Sequence, residues 1–182
     1  MSTSDDYIAR IRSLDWGGLQ SLWQEIRAGQ TPEWPPGKAL EYLIVRAFEL
    51  DGAEVAWPFE VKIGEETVEQ IDGVVYSDGL SSLIECKDWA TPANVEPIAK
   101  LRNQLLRRPS GVLGMIVSRN GFTEAARSLA QFLAPQTILL WEGEEIGIVL
   151  QRQAIRAALQ RKYRYAVEKG APDYNLRNEK LL

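Results

Sequence analysis

Histidine is absent from all 182 residues. That absence removes histidine-based triads, zinc sites built on imidazole, and metal nucleases that rely on a histidine base. A single cysteine, Cys86, leaves no internal disulfide and no zinc ribbon, and it points to a reducing, cytoplasmic setting. No run of about 18 apolar residues occurs, so neither a transmembrane helix nor a membrane partner is expected. The opening stretch, Met1-Ser2-Thr3-Ser4-Asp5-Asp6, is polar and acidic, unlike a secretory signal. A strong excess of positive charge is missing too. With 21 Lys and Arg against 25 Asp and Glu, the net charge is −4. Any nucleic-acid contact must therefore come from a local basic face. What the chain does have is 45% hydrophobic residues, enough at this length for one buried core and short for two.

Residues 68–89 are the stretch around which the rest is arranged. Two apolar-rich runs, 68–76 and 80–86, flank the turn-forming Ser77-Asp78-Gly79 and predict a β-hairpin. Alternation along a strand puts Gln70 and Asp72 on one face of the first strand, and Glu85 and Lys87 on one face of the second. Ile71, Ile84 and Cys86 point the other way. Two carboxylates and a lysine thus converge beside core residues, a costly place for charge. Clustered carboxylates suit a hard divalent cation such as Mg²⁺, which prefers oxygen ligands and keeps waters for a phosphate. The alternative is plain: Asp72 at a turn or strand edge, and Glu85 and Lys87 as an ion pair.

Along the chain, residues 5–27 carry apolar side chains at helical spacing, with Gly17-Gly18 as the expected break or kink. Trp16, Trp23 and Trp34 read as packing for this helix rather than as base-stacking groups. A second helix is expected over 37–50, with Leu40, Leu43, Ile44, Ala47 and Phe48 as its apolar face and Asp51-Gly52 as its end. Glu41 lies beside that face, where it can also pair with Lys38 or Arg46. Residues 53–63 read as one strand with Pro58 at an edge or bulge. A helix follows over 92–107, with Thr91 as its cap. It carries Lys100, Arg102, Arg107 and Arg108. The unbroken apolar run 111–118 predicts a strand buried on both faces. Thr123 is expected to cap the next helix, and 137–141 to form a short buried strand. A helix is expected over 142–170. Its segment 152–169 is rich in Arg and Lys, with Tyr163 and Tyr165 among them, which fits either a phosphate contact or a solvated face. Residues 171–182 read as a polar, loosely held tail. This alternation of strands and helices argues a mixed α/β sheet with helices on both faces.

Asp72, followed by Glu85-Cys86-Lys87, resembles the motif of the PD-(D/E)xK nuclease superfamily. Ile71 stands where the proline that names the motif would be. The order of a helix with Glu41, a strand, a strand with Asp72 and a strand with E-x-K also matches. The later stretch S-R-N-G-F-T, the E-A-A-R helix and the I-L-L-W strand resemble the Mrr-type restriction endonuclease catalytic domain. The resemblance spans roughly residues 37–141. It implies a restriction endonuclease-like three-layer α/β/α fold with a mixed central sheet. Residues 1–36 would be a helical extension, 37–141 the nuclease core, 142–170 a basic helix packed on that core and 171–182 a tail. It further implies a metal-dependent deoxyribonuclease, an endonuclease of restriction, defence or DNA processing. Asp72 and Glu85 would hold Mg²⁺, with Mn²⁺ able to substitute. The Cys86 carbonyl and Glu41 would support the metal, and Lys87 would position or activate the water. Gln70 and Gln104, with Asn103 as its neighbouring alternative, would support the site. Arg102, Arg107, Arg108, Arg119, Arg156 and Lys162 are the candidate contacts to DNA. A homodimer, or a partner protein supplying specificity, fits the lack of a reader domain. A catalytically silent nucleic-acid-binding or assembly module and an RNA-directed nuclease are the other readings.

Overall fold

The apolar run at 112–118 does form an interior strand. In the computed structural model, which describes residues 4–133 and 135–178, β6 (Val112–Ser118) lies between β5 (Leu80–Lys87) and β7 (Ile138–Glu142), parallel to both. β4 (Gly73–Ser77) pairs antiparallel with β5, and β1 (Glu54–Ala56) pairs antiparallel with β4. The mixed sheet therefore runs β1-β4-β5-β6-β7. Successive side chains point to opposite faces. Val75, Ile84, Met115 and Trp141 enter one core, and Val74, Leu83, Ile116 and Leu140 enter another.

Helices cover both faces. The first core takes the apolar sides of α1 (Ser4–Arg12), α2 (Trp16–Ala28), α3 (Lys38–Leu50), α6 (Gly143–Arg152) and α7 (Ile155–Lys169). The second is closed by α4 (Val95–Leu105) and α5 (Glu124–Gln131). This is the three-layer α/β/α arrangement. Thr123 caps α5 by accepting the Ala126 amide at 3.2 Å. No helix of the described residues is long and apolar enough to cross a membrane.

Several boundaries differ from the sequence reading, each for a local reason. The helix expected over 5–27 is two helices. Asp15 accepts the Gly18 amide at 2.9 Å and starts α2 itself, so Gly17-Gly18 lie inside the first turn rather than at the break. α4 starts later than Pro92, because Asn94 caps it and Ala93 is held in a bridge to Phe122. The strand expected over 53–63 splits at Pro58, which has no N–H to continue a ladder. β1 joins the main sheet, whereas β2 (Phe59–Ile63) pairs with β3 (Glu66–Ile71) in a separate two-stranded sheet. Residues 68–71 consequently belong to β3, and the hairpin proper is β4–β5. Gln70 and Asp72 do not share a strand. Asp72 is the joint between the two sheets.

The helix expected over 142–170 breaks at Gln153, whose left-handed backbone (φ 55°) ends α6. The tail is not loose over its described part. Leu176 is 3% exposed, Tyr174 stacks on Tyr165 at a ring-centroid distance of 3.7 Å, and the Leu140 amide donates to the Pro172 carbonyl at 3.0 Å. Residues 179–182 lie outside the described residues. A fully buried ion pair anchors this segment. Lys162 donates to Glu145 at 2.6 Å and also to the Tyr174 carbonyl, while Glu145 accepts the Leu176 amide at 3.0 Å. Lys162 is 0% exposed and lies over the Trp141 ring, 5.1 Å from its centroid. Burial pulls its pKa below the usual lysine value against the pull of Glu145. Removing one partner of such a pair strands the other charge. Lys162→Ala is expected to destabilise the protein by about 3–5 kcal/mol, read as a lower urea midpoint.

Candidate active site

Glu85 alternates along β5 with Leu83 and Lys87, so all three share a sheet face. At 1% exposure Glu85 is among the buried groups of the strand. Gly73 stands opposite Ile84 in the β4–β5 ladder, which carries Asp72 to the position beside Glu85. The Asp72 carboxylate accepts the Cys86 amide at 2.6 Å, a bond from the joint between the sheets to the middle of E-x-K.

The third acid comes from above. A Cβ at Gly73 would stand 2.8 Å from the Val45 side chain, so the missing side chain lets α3 settle onto β4 there. Glu41 lies one helical turn before Val45 on the same face. That contact brings it toward Asp72 and Glu85. Lys38 donates to Glu41 at 2.5 Å. Lys87 holds Glu85 at 2.6 Å and lies 5.5 Å from the Trp89 ring centroid. A second lysine reaches the same carboxylate: Lys100, from α4, donates to both Glu85 oxygens at 2.9 Å.

The electrostatics follow from this crowding. Burial, then the charges of Glu41 and Glu85, push Asp72 up to about 7 despite the Cys86 amide. Burial raises Glu41 as well, with Lys38 pulling against it and Glu85 adding to it. Lys87 is affected first by burial, which lowers its pKa, but its bond to Glu85 and the nearby acids outweigh that and leave it raised. It is therefore an ammonium. The Cys86 thiol points into the opposite core, and burial pushes it well above its ordinary value, so it is not a thiolate ligand.

Among the described residues, no three Asp, Glu or Cys side chains stand close enough to cage a metal ion unaided. The donor set still fits Mg²⁺, which uses one or two carboxylates and keeps several waters. Asp72 and Glu85 are hard oxygen donors on adjoining strand ends, and the Cys86 amide fixes one Asp72 oxygen there.

The remaining candidate residues separate into distinct roles. Gln104 is buried and donates to the Gln70 backbone carbonyl at 3.4 Å, so Gln70 contributes its main chain while its side chain is exposed. Asn103 is exposed beside it, as is Arg102. Arg107 and Arg108 both bind Glu69, the latter at 2.6 Å. Arg119 is held by Asp88 at 2.8 Å and by the Ile26 carbonyl at 2.6 Å. Arg156 ties α7 to the β4–β5 turn through Asp78 at 2.7 Å and the Asp51 carbonyl at 3.0 Å. Lys162, expected at a DNA surface, is fully buried and structural, while Arg156 is partly exposed and engaged in this tie. Sequence reasoning missed Lys100 as a site residue. The signal was its spacing with Gln104, at i and i+4 on one face of α4.

A family model described as restriction endonuclease, that of the Mrr catalytic domain, matches residues 35–149. Among solved structures, the chain is similar to a protein of unknown function, AF1548, at 18% identity over 82% of this chain and 78% of that one, with a TM-score of 0.46. It is similar to MspJI restriction endonuclease in complex with a 27-mer oligonucleotide, at 15% identity over 97% of this chain and 39% of that one, with a TM-score of 0.44. It is similar also to the DNA modification-dependent restriction endonuclease AspBHI, at 14% identity over 78% and 38%, with a TM-score of 0.40. The chain therefore spans under two fifths of the length of those two enzymes. No curated protein matches it.

The Asp72 shift has a consequence for stability. An unfolded Asp ionises near 3.9, whereas the folded group holds its proton to about 7. The folded state thus binds more protons between those values, and stability falls as pH rises through that window. Asp72→Asn, which keeps an acceptor for the Cys86 amide, removes the penalty. In chelator, the variant is expected to match wild type near pH 4 and exceed it by up to about 4 kcal/mol above pH 7, measured by chemical denaturation across pH.

Proposed function

The chain belongs to the restriction endonuclease family whose Mrr catalytic-domain model covers residues 35–149, and on that premise we propose that it is a Mg²⁺-dependent deoxyribonuclease cutting within DNA in restriction or DNA processing. The observation that carries this reading is the meeting of Asp72, Glu85 and Lys87 at the end of β4–β5, with Glu41 acting on the same carboxylates. Asp72 and Glu85 would hold the metal, with Glu41 behind them and Mn²⁺ able to replace Mg²⁺. When bound, the ion lowers the pKa of a coordinated water and offsets charge on the phosphate.

The chain's own groups supply the rest. The Lys87 ammonium sits at the rim of the carboxylates, where it can hold the attacking water and balance charge on the phosphorane. The Cys86 amide fixes one oxygen of Asp72, so its orientation is set before substrate arrives. Water attacks phosphorus in line while giving up a proton to solvent, the bond to the leaving oxygen breaks, and that oxygen takes a proton from solvent. A second copy of the chain cutting the other strand, or a partner protein, would add duplex cutting and specificity. One observation favours a silent binding module instead: Glu85 is already neutralised by two lysines.

Cleavage of plasmid, linear duplex, single-stranded DNA and RNA in Mg²⁺ and in Mn²⁺ separates these readings. Metal-dependent cutting of DNA is expected. Asp72→Ala is expected to abolish it, and Lys87→Ala to lower it about 10²–10³-fold while metal binding persists. Preference for RNA would shift the substrate class. DNA binding without cutting under any metal would favour the silent module.

A further inference from the structure

We propose that Lys100 is an exchangeable counter-ion: it holds Glu85 in the metal-free protein, yields it to a divalent cation, and then contacts the DNA backbone. This rests on the metal-dependent DNase reading above.

Glu85 carries two ammonium groups where one would neutralise it. The two are not equivalent. Lys87 comes from the same strand, 20% exposed, with Trp89 against its head. Lys100 reaches in from α4, and its side chain is 48% exposed. Its bonds go to both Glu85 oxygens, the atoms that a metal ion must use. Of the two, Lys100 is the one with solvent to move into.

The helix that carries it is clamped, so only the side chain has to move. A Cβ at Gly114 would stand 2.8 Å from Leu101 and 3.1 Å from Leu105, which means α4 rests directly on β6 at that glycine. Farther along the same face Gln104 binds the Gln70 carbonyl, and just past the helix end Arg108 binds Glu69. Lys100 is the one rung of this ladder that ends on a site carboxylate. Once released, its ammonium lies in solvent on a segment that also carries Arg102, Arg107 and Arg108, positive charge that would draw a phosphate. Competition for one carboxylate couples metal binding to the lysine's position.

Two measurements on Lys100→Met, which keeps most of the stem and removes the charge, test this. Mn²⁺ binding without DNA, followed by the electron paramagnetic resonance signal of the free ion, should tighten between about 5- and 150-fold. Duplex binding in Ca²⁺ should weaken, with the slope of log affinity against log salt shallower by about 1. A purely structural Lys100 would predict the opposite first result, since loosening the site weakens metal binding. Unchanged or weaker Mn²⁺ affinity in Lys100→Met overturns the proposal. If Lys100→Met does not fold, Lys100→Arg takes its place. Its forked guanidinium should hold both Glu85 oxygens more firmly and weaken Mn²⁺ binding, and wild-type affinity would overturn the proposal equally. Asp72→Ala separates the two levels. Wild-type Mn²⁺ binding that disappears in Asp72→Ala but is unmoved in Lys100→Met leaves the nuclease reading standing and removes this one. No Mn²⁺ binding by wild type removes both.

Discussion

A carboxylate left with 1% exposure at the end of a central strand has to be neutralised where it stands. Much of the architecture around Glu85 meets that demand. Its own strand supplies Lys87, and α4 supplies Lys100. α4 can reach because Gly114 lets it rest on β6, and α3 brings Glu41 close because Gly73 lets it rest on β4. Two positions without side chains, on opposite faces of the sheet, thus set how closely two helices approach one cluster of charge. The cluster is balanced but strained in one place, at Asp72, whose nearest charges are acids as well as Lys38.

The same logic governs the rest of the molecule. With a net charge of −4, most of the arginines that looked free for a phosphate backbone are already engaged. Arg108 closes on Glu69, Arg119 on Asp88 and Arg156 on Asp78. These pairs join segments distant in sequence: the turn after α4 to β3, the turn after β6 to the end of β5, α7 to the β4–β5 turn. They organise the scaffold more than they advertise a binding face. Partly exposed pairs of this kind contribute little each to stability, and their value lies in fixing relative positions.

Local and periodic features were legible in the sequence. The interior strand at 112–118, the Thr123 cap and the alternation that puts Glu85 and Lys87 on one face all depend on neighbours within a few residues. The break at Asp72 was not legible, because apolar alternation continues through it and only the Cys86 amide, fourteen residues away, marks the joint. Lys162 read as a surface cation for a similar reason. Its partner Glu145 is seventeen positions back, and burial of the pair depends on α6 packing against α7. Lys100 belongs to the same class, since nothing near it in the chain announces Glu85.

The bond from the Leu140 amide to the Pro172 carbonyl bears on how the protein comes into being. β7 is an outer strand of the main sheet, and unpaired strand edges invite pairing with other chains. Residues 171–176 cover that edge, held by Lys162 and Glu145 from the helices just before it. Synthesis proceeds from the N-terminus, so β7 and both helices emerge before the segment that shields them. During that interval the sheet presents an open, apolar margin. The opposite margin, β1, is only three residues long and offers little to pair with. Of the two margins of the main sheet, β7 is thus the one that depends on a later segment for its cover.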